Sequence, residues 1–151
     1  NIEDAYKFLK NKSTTEHRFE KVEIINGTRF INDSKSTNFH SVSSASERVK
    51  NALLIMHGIT KNIPTSELQL SNEIKKIIIP NDMNLDHNLF HCEVQVIKSI
   101  FELEDILKKD FQRFETVLFS CGGSSFNDFE NYIERGEFFK SIVMNLKGGQ
   151  N

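Results

Sequence analysis

Seven polar residues in a row, Asn32-Asp33-Ser34-Lys35-Ser36-Thr37-Asn38, stand between a β-prone run ending at Ile31 and a helical stripe beginning at Phe39. Hydroxyls, amides and an ammonium group at this density can bind an anion, since each supplies donors and the lysine offsets negative charge. A second stretch, Ser120-Cys121-Gly122-Gly123-Ser124-Ser125, is small and polar and again follows an apolar, β-branched run. A third, His57-Gly58-Ile59-Thr60-Lys61-Asn62, follows the buried-type run Ala52 to Met56 and contributes one lysine. Each has a plainer reading. Ser, Asn and Asp between a strand and a helix are often only caps, and a lone loop lysine is often a solvated charge. Taken alone, the three loops point to a small anion and name no substrate.

Other chemical residue types form weaker patterns. The five histidines show no HxH or HxxxH spacing, which argues against zinc. Cys121 lies in a Gly-Ser loop, but no Cys-His-Asn pattern supports a nucleophile, and packing is the simpler role. His17-Arg18 reads as a surface pair. Neither G-x-x-x-x-G-K-[ST] nor G-x-G-x-x-G after the first strand is present, so a self-contained ATPase or dehydrogenase is not expected.

The elements that must position these loops are readable from periodicity. A short helix is expected over 2–9. Val22-Glu23-Ile24-Ile25 and Thr28-Arg29-Phe30-Ile31 flank Asn26-Gly27, a hairpin signal because both turn residues tolerate positive φ. Helices are expected over 39–49 with Asn38 as N-cap, over 65–74, over 103–109 and over 126–146, with a further one conceivable over 82–90. The long last helix carries a stripe of Phe129, Ile133, Phe138, Ile142 and Leu146. Strands are expected over 52–56, 77–79, 94–97 and 116–120. Strands alternating with helices imply a three-layer, Rossmann-like α/β domain: a mainly parallel sheet plus one antiparallel strand from the N-terminal hairpin. In such sheets ligands bind beyond the carboxyl ends of the strands, where all three polar loops fall.

Composition sets outer limits. The 151 residues fit one domain spanning 1–151, with 38% hydrophobic and 26% charged residues. A net charge of −2 gives no global pull toward nucleic acid or an anionic membrane. No apolar run approaches the roughly 18 residues of a membrane span. Two distant cysteines fit a reduced, cytoplasmic setting. The chain opens at Asn1 rather than a methionine, which reads as a piece of a longer protein.

Several of these runs together resemble the C-terminal domain of the Mur ligases. The first match is His17-Arg18-Phe19-Glu20, Asn26-Gly27 and Phe30-Ile31-Asn32-Asp33-Ser34-Lys35-Ser36-Thr37-Asn38. Within that family the Asp-Ser-Lys-x-Thr-Asn run is similar to the D-glutamate-adding kind. The second match is Val117-Leu118-Phe119-Ser120 with Ser124-Ser125-Phe126-Asn127-Asp128-Phe129, Tyr132 and Glu134-Arg135-Gly136. Two departures stand out. The family's Gly-Gly-Asp-x-Lys loop appears as His57-Gly58-Ile59-Thr60-Lys61, and its Ser-Pro-Ala-x-Ala stretch as Ser120-Cys121-Gly122-Gly123-Ser124.

The resemblance implies a three-domain, monomeric enzyme whose UDP-sugar-binding and ATP-binding domains lie outside this chain. It implies ATP and Mg2+ as cofactors, and D-glutamate and UDP-N-acetylmuramoyl-L-alanine as the substrates joined. By the same resemblance, Thr37 and Lys61 would bind the α-carboxylate of D-glutamate, and Ser125, with main-chain amides near Tyr132, its side-chain carboxylate. Arg18, Asp33 and Asn38 would line the ATP cleft, and Lys35 would stabilise charge near the transferring phosphate. Two alternatives remain at this point: the same domain of another Mur-type or folylpolyglutamate ligase, and an α/β binding module without catalysis.

Overall fold

The computed structural model describes residues 2–3 and 15–149. The helix expected over 2–9 therefore lies, beyond Ile2 and Glu3, outside the described residues. Six strands, β1 (Glu20–Ile25), β2 (Thr28–Asp33), β3 (Ala52–His57), β4 (Ile74–Pro80), β5 (Glu93–Ile97) and β6 (Thr116–Gly122), form one sheet. Their order is β1-β2-β6-β3-β4-β5. Only the β1–β2 pair is antiparallel; the other pairs are parallel. The fold is the Rossmann-like α/β arrangement expected from the sequence.

The hairpin forms where Asn26-Gly27 allows it, with φ of +50° and +86°, the two left-handed residues of a tight turn. Side chains of β3 and β6 are buried throughout, as strands covered on both faces must be. They alternate between two cores. Leu53, Ile55, Val117 and Phe119 face α2 (Leu103–Asp110) and α3 (Tyr132–Gly148). Ala52, Leu54, Met56 and Leu118 face α1 (Phe39–Ser46). Asn38 caps α1, its Oδ1 accepting from Ser41 N at 2.9 Å.

The helix expected over 65–74 is absent, and segment 82–90, where a further one is conceivable, is not a helix either. Segment 65–74 holds only a 3-10 turn at Thr65–Glu67, and 82–90 only one at His87–Leu89. Side-chain oxygens take up the main chain instead: Ser43 Oγ accepts from Gln69 N, Ser46 Oγ from Ser71 N, and Ser71 Oγ from Glu73 N. Ile74, read as the end of a helix, opens β4, whose β-branched run is longer than the short strand expected at 77–79.

The last helix starts at Tyr132, not at 126, because Asn131 caps it, accepting from Glu134 N at 2.9 Å. Its buried stripe is Arg135, Gly136, Phe139, Ile142, Val143 and Leu146. Ile133, expected inside, is 47% exposed. Buried positions 135, 139, 142 and 146 follow at three- and four-residue steps, a face from which Ile133 is turned away.

Candidate functional site

Because β2, β6 and β3 are neighbours, the three polar loops leave the sheet side by side. Main-chain bonds stitch them together: Gly122 N donates to Ser36 O at 2.8 Å, Ile59 N to Ser124 O at 2.9 Å, and Ser124 N to Ile59 O at 3.0 Å. Such close approach requires glycine. Gly58 has φ +120°, and a Cβ there would overlap Ser124 O and sit 2.6 Å from Gly123 C.

A fully buried arginine holds this frame from beneath. Arg135 donates from Nε to Ser34 Oγ (3.0 Å), from Nη2 to Ser34 O (2.7 Å), and from Nη1 to Gly123 O (2.9 Å) and His57 O (3.2 Å). One guanidinium thus satisfies main-chain oxygens of all three loops, which its fixed fork of donors suits. Nη1 also lies 3.2 Å from His57 Nδ1, while His57 Nε2 lies 2.7 Å from Asp128 Oδ2. Burial holds His57 below the ordinary histidine value, helped by the Arg135 charge and opposed by Asp128 and Asp82.

The loop after β2 borders two cavities. One, of about 570 Å³, has Thr37, Asn38, Lys61, Gly122 and Ser124 as polar lining and Ile59, Ile63 and Phe126 as apolar lining. The other, of about 300 Å³, brings together Arg18, Asp33, Lys35 and Ser36. A third cavity, of about 540 Å³, lies toward the amino ends of β2 and β6, beside Arg29 and Thr116 and away from these loops.

The structure therefore brings Thr37 and Lys61 together and leaves both exposed. Lys61 makes no ion pair among the described residues. Ser125 is adjacent but buried, its carbonyl accepting from Asp128 N (3.2 Å) and Phe129 N (2.9 Å); its neighbour Ser124 lines the cavity. Asn38 lies on the Thr37 side, not beside Arg18. Lys35 borders the smaller cavity, with Nζ 5.7 Å from the centre of the Tyr132 ring. Asp33 is turned inward: Oδ1 accepts from Phe19 N at 2.8 Å, and Oδ2 from Ser36 Oγ and from Ser120 Oγ at 2.8 Å. Burial pushes its carboxyl above the ordinary value, against the pull of those donors and of Arg18.

His17, read as a surface residue, is buried. Its ring occupies the space a Cβ on Gly136 would need, which accounts for glycine after Arg135. Asn32 Nδ2 donates to His17 Nδ1 at 2.8 Å, so Nε2 carries the hydrogen; it lies 3.5 Å from carboxylates of Glu16 and Glu137. A nitrogen holding its proton is a poor metal ligand, and Lys140 already supplies the cation, 2.9 Å from Glu20 and 3.7 Å from Glu16 and Glu137. Cys121 is fully buried and its thiol is pushed up to about 12 by burial, which suits packing and not nucleophilic attack.

Sequence reasoning missed the roles of His57, Asp128 and Arg135, which meet only in the folded chain. The one available signal was an arginine followed by glycine near the start of a helix that packs beneath polar loops.

No family model matches the chain. It is 36% identical over 149 residues to the UDP-N-acetylmuramoylalanine–D-glutamate ligase of Thermosipho africanus, covering 95% of this chain and 35% of that protein. The enzyme of the same name from Porphyromonas gingivalis is 32% identical over 152 residues, 96% of this chain and 33% of that protein. That from Thermotoga maritima is 29% identical over 153 residues, 99% of this chain and 36% of that protein. The chain spans about a third of the length of the curated relatives it matches. Along nearly its whole length, then, the chain is similar to one domain-sized part of these ligases, and it resembles the C-terminal domain of the Mur ligase family.

Proposed function

We propose that this chain is the acceptor-binding, C-terminal domain of a cytoplasmic, ATP-dependent ligase of peptidoglycan synthesis that joins D-glutamate to UDP-N-acetylmuramoyl-L-alanine. The observation that carries the reading is the shared cavity of Thr37, Lys61 and Ser124 at the carboxyl ends of parallel strands. The similarity to ligases of that name supports it.

D-Glutamate is a dicarboxylate with one nucleophilic amine. A useful site holds both carboxylates and leaves the amine free, aimed at the acyl carbon. Lys61 and Thr37 suit the α-carboxylate, because an ammonium and a hydroxyl donate to its oxygens and offset its charge. The Ser124-Ser125 turn, with main-chain amides leading to Tyr132, takes the side-chain carboxylate. Ile59, Ile63 and Phe126 add an exposed apolar wall against which the methylenes of the amino acid can pack.

ATP, when bound, supplies the phosphoryl group that activates the carboxylate to be attacked. On this chain Arg18 and Lys35 fit its negative charge, since both border the smaller cavity. Asp33 already accepts three hydrogen bonds, so it positions the loop and Arg18 and does not fit a magnesium ligand. Asn38, directly after Thr37, caps α1.

The full-length protein containing this chain, assayed for phosphate release with a panel of amino acids, should turn over with D-glutamate. Lys61→Ala should raise KM for D-glutamate by tenfold or more, since one charge-assisted contact contributes roughly 1.5–3 kcal/mol. A preference for another amino acid would sink the substrate assignment. Unchanged KM in both Lys61→Ala and Thr37→Ala would remove the site.

A further inference from the structure

We infer that His57 and Asp128 are positioning residues for the acceptor amino acid, setting the distance between the loop that carries Lys61 and the turn that carries Ser125. The inference rests on the acceptor-binding reading above and deepens it. It begins with a tautomer. Arginine only donates hydrogen bonds, so His57 Nδ1, 3.2 Å from Arg135 Nη1, is an acceptor. The imidazole therefore carries its hydrogen on Nε2 and donates it to Asp128 Oδ2 at 2.7 Å.

The groups facing the ring come from every element around it. α3 contributes Arg135, and the turn before α3 contributes Asp128 and the edge of Phe129, whose ring centre lies 5.4 Å away. Asp82, from the segment after β4, acts through its charge. Protonating Nδ1 would displace the guanidinium, so His57 stays a neutral bridge.

What the bridge joins matters. Lys61 lies four residues beyond His57. Asp128 lies in the turn opened by Ser125, and its N–H donates to Ser125 O at 3.2 Å. Phe126, on the same turn, is 71% exposed and lines the larger cavity together with Ile59 and Ile63. The His57–Asp128 bond thus fixes both the spacing of the two carboxylate-holding loops and the place of the cavity wall. It also engages the Asp128 carboxylate. Released from His57, that carboxylate would stand beside a site that must accept a dianion.

The test uses the full-length protein containing this chain, with D-glutamate as the probe. His57→Ala and Asp128→Ala should each raise KM for D-glutamate about tenfold, with kcat changed by less than about threefold. His57→Gln, whose amide N–H can still reach Asp128, should restore KM to within about threefold. In the 151-residue chain, the His57 Hε2 proton should give a slowly exchanging, downfield NMR resonance that Asp128→Ala abolishes. If the unmodified protein turns over D-glutamate and both alanine variants keep its KM, the positioning role falls and the ligase reading stands. Parallel losses in kcat and kcat/KM without rescue by glutamine would likewise overturn it. If the unmodified protein does not use D-glutamate, the ligase reading falls and takes this role with it.

Discussion

Two rims of the same sheet edge behave differently. Beyond β4 and β5 many bonds are local, Met83 N donating to Pro80 O, Asn88 N to Asp86 Oδ1 and Phe101 N to Ser99 Oγ. The remoter ones come singly, from Asn81 N to Ile97 O, Asp86 N to Thr65 Oγ1 and Asn127 Nδ2 to Asp82 Oδ2. Beyond β2, β6 and β3 the decisive partners are remote. His57 and Asp128 are 71 residues apart, His57 and Arg135 78, and Ser34 and Arg135 101. Both rims are polar and both follow parallel strands. The difference teaches that a strand-end loop becomes a site when a distant buried group satisfies its main chain. Its own side chains, Thr37 and Lys61 here, are then free to face a ligand.

Removing the distant group should hurt most. Arg135→Ala leaves the carbonyls of Ser34, His57 and Gly123 without their donor, and should cost about 3–5 kcal/mol in denaturant unfolding. A loss below about 1 kcal/mol would erase the contrast between the rims. Gly58→Ala comes next. Its left-handed φ and the overlap with Ser124 O should cost about 2–3 kcal/mol, read the same way.

A smaller effect should follow pH. His57 is held below its ordinary value in the fold, whereas in the unfolded chain it titrates near about 6.5. Below that pH the unfolded chain gains a proton that the native site resists, so the unfolded state binds more protons. Stability from this group is complete above about pH 6.5 and declines as pH falls toward the depressed folded value. His57→Gln should flatten that part of the stability curve; an identical slope in the variant would show that His57 carries none of it. The smallest change belongs to the other rim. Asp86→Ala removes only a cap on a 3-10 turn and should cost about 0.5–1 kcal/mol, with no effect on any D-glutamate KM.

The same contrast explains what was legible beforehand. Asn26-Gly27 announced its hairpin because two consecutive positive φ values are a local demand that few residue pairs meet. The three loops were visible because dense polar sequence between apolar runs is local too. The expected helix over 65–74 failed where serine side chains from α1, Ser43 and Ser46, captured the main chain from more than twenty residues away. The start of α3 moved because the turn at Ser125 and the cap at Asn131 took residues that an apolar stripe had claimed. Arg135 was marked only by the glycine that follows it, which does not reveal its central place. A helical arginine ordinarily faces water, and only the assembled carbonyls of three loops make burial tolerable.

Arg135 has one more consequence. Its donors reach mainly carbonyl oxygens, which every residue possesses, with Ser34 Oγ and His57 Nδ1 as the side-chain exceptions. The platform is therefore largely indifferent to which amino acids occupy positions 37, 60, 61, 124 and 126. Mutation can redraw the lining of the larger cavity without dismantling the scaffold beneath it, so a domain built this way can change the molecule it accepts in small, survivable steps.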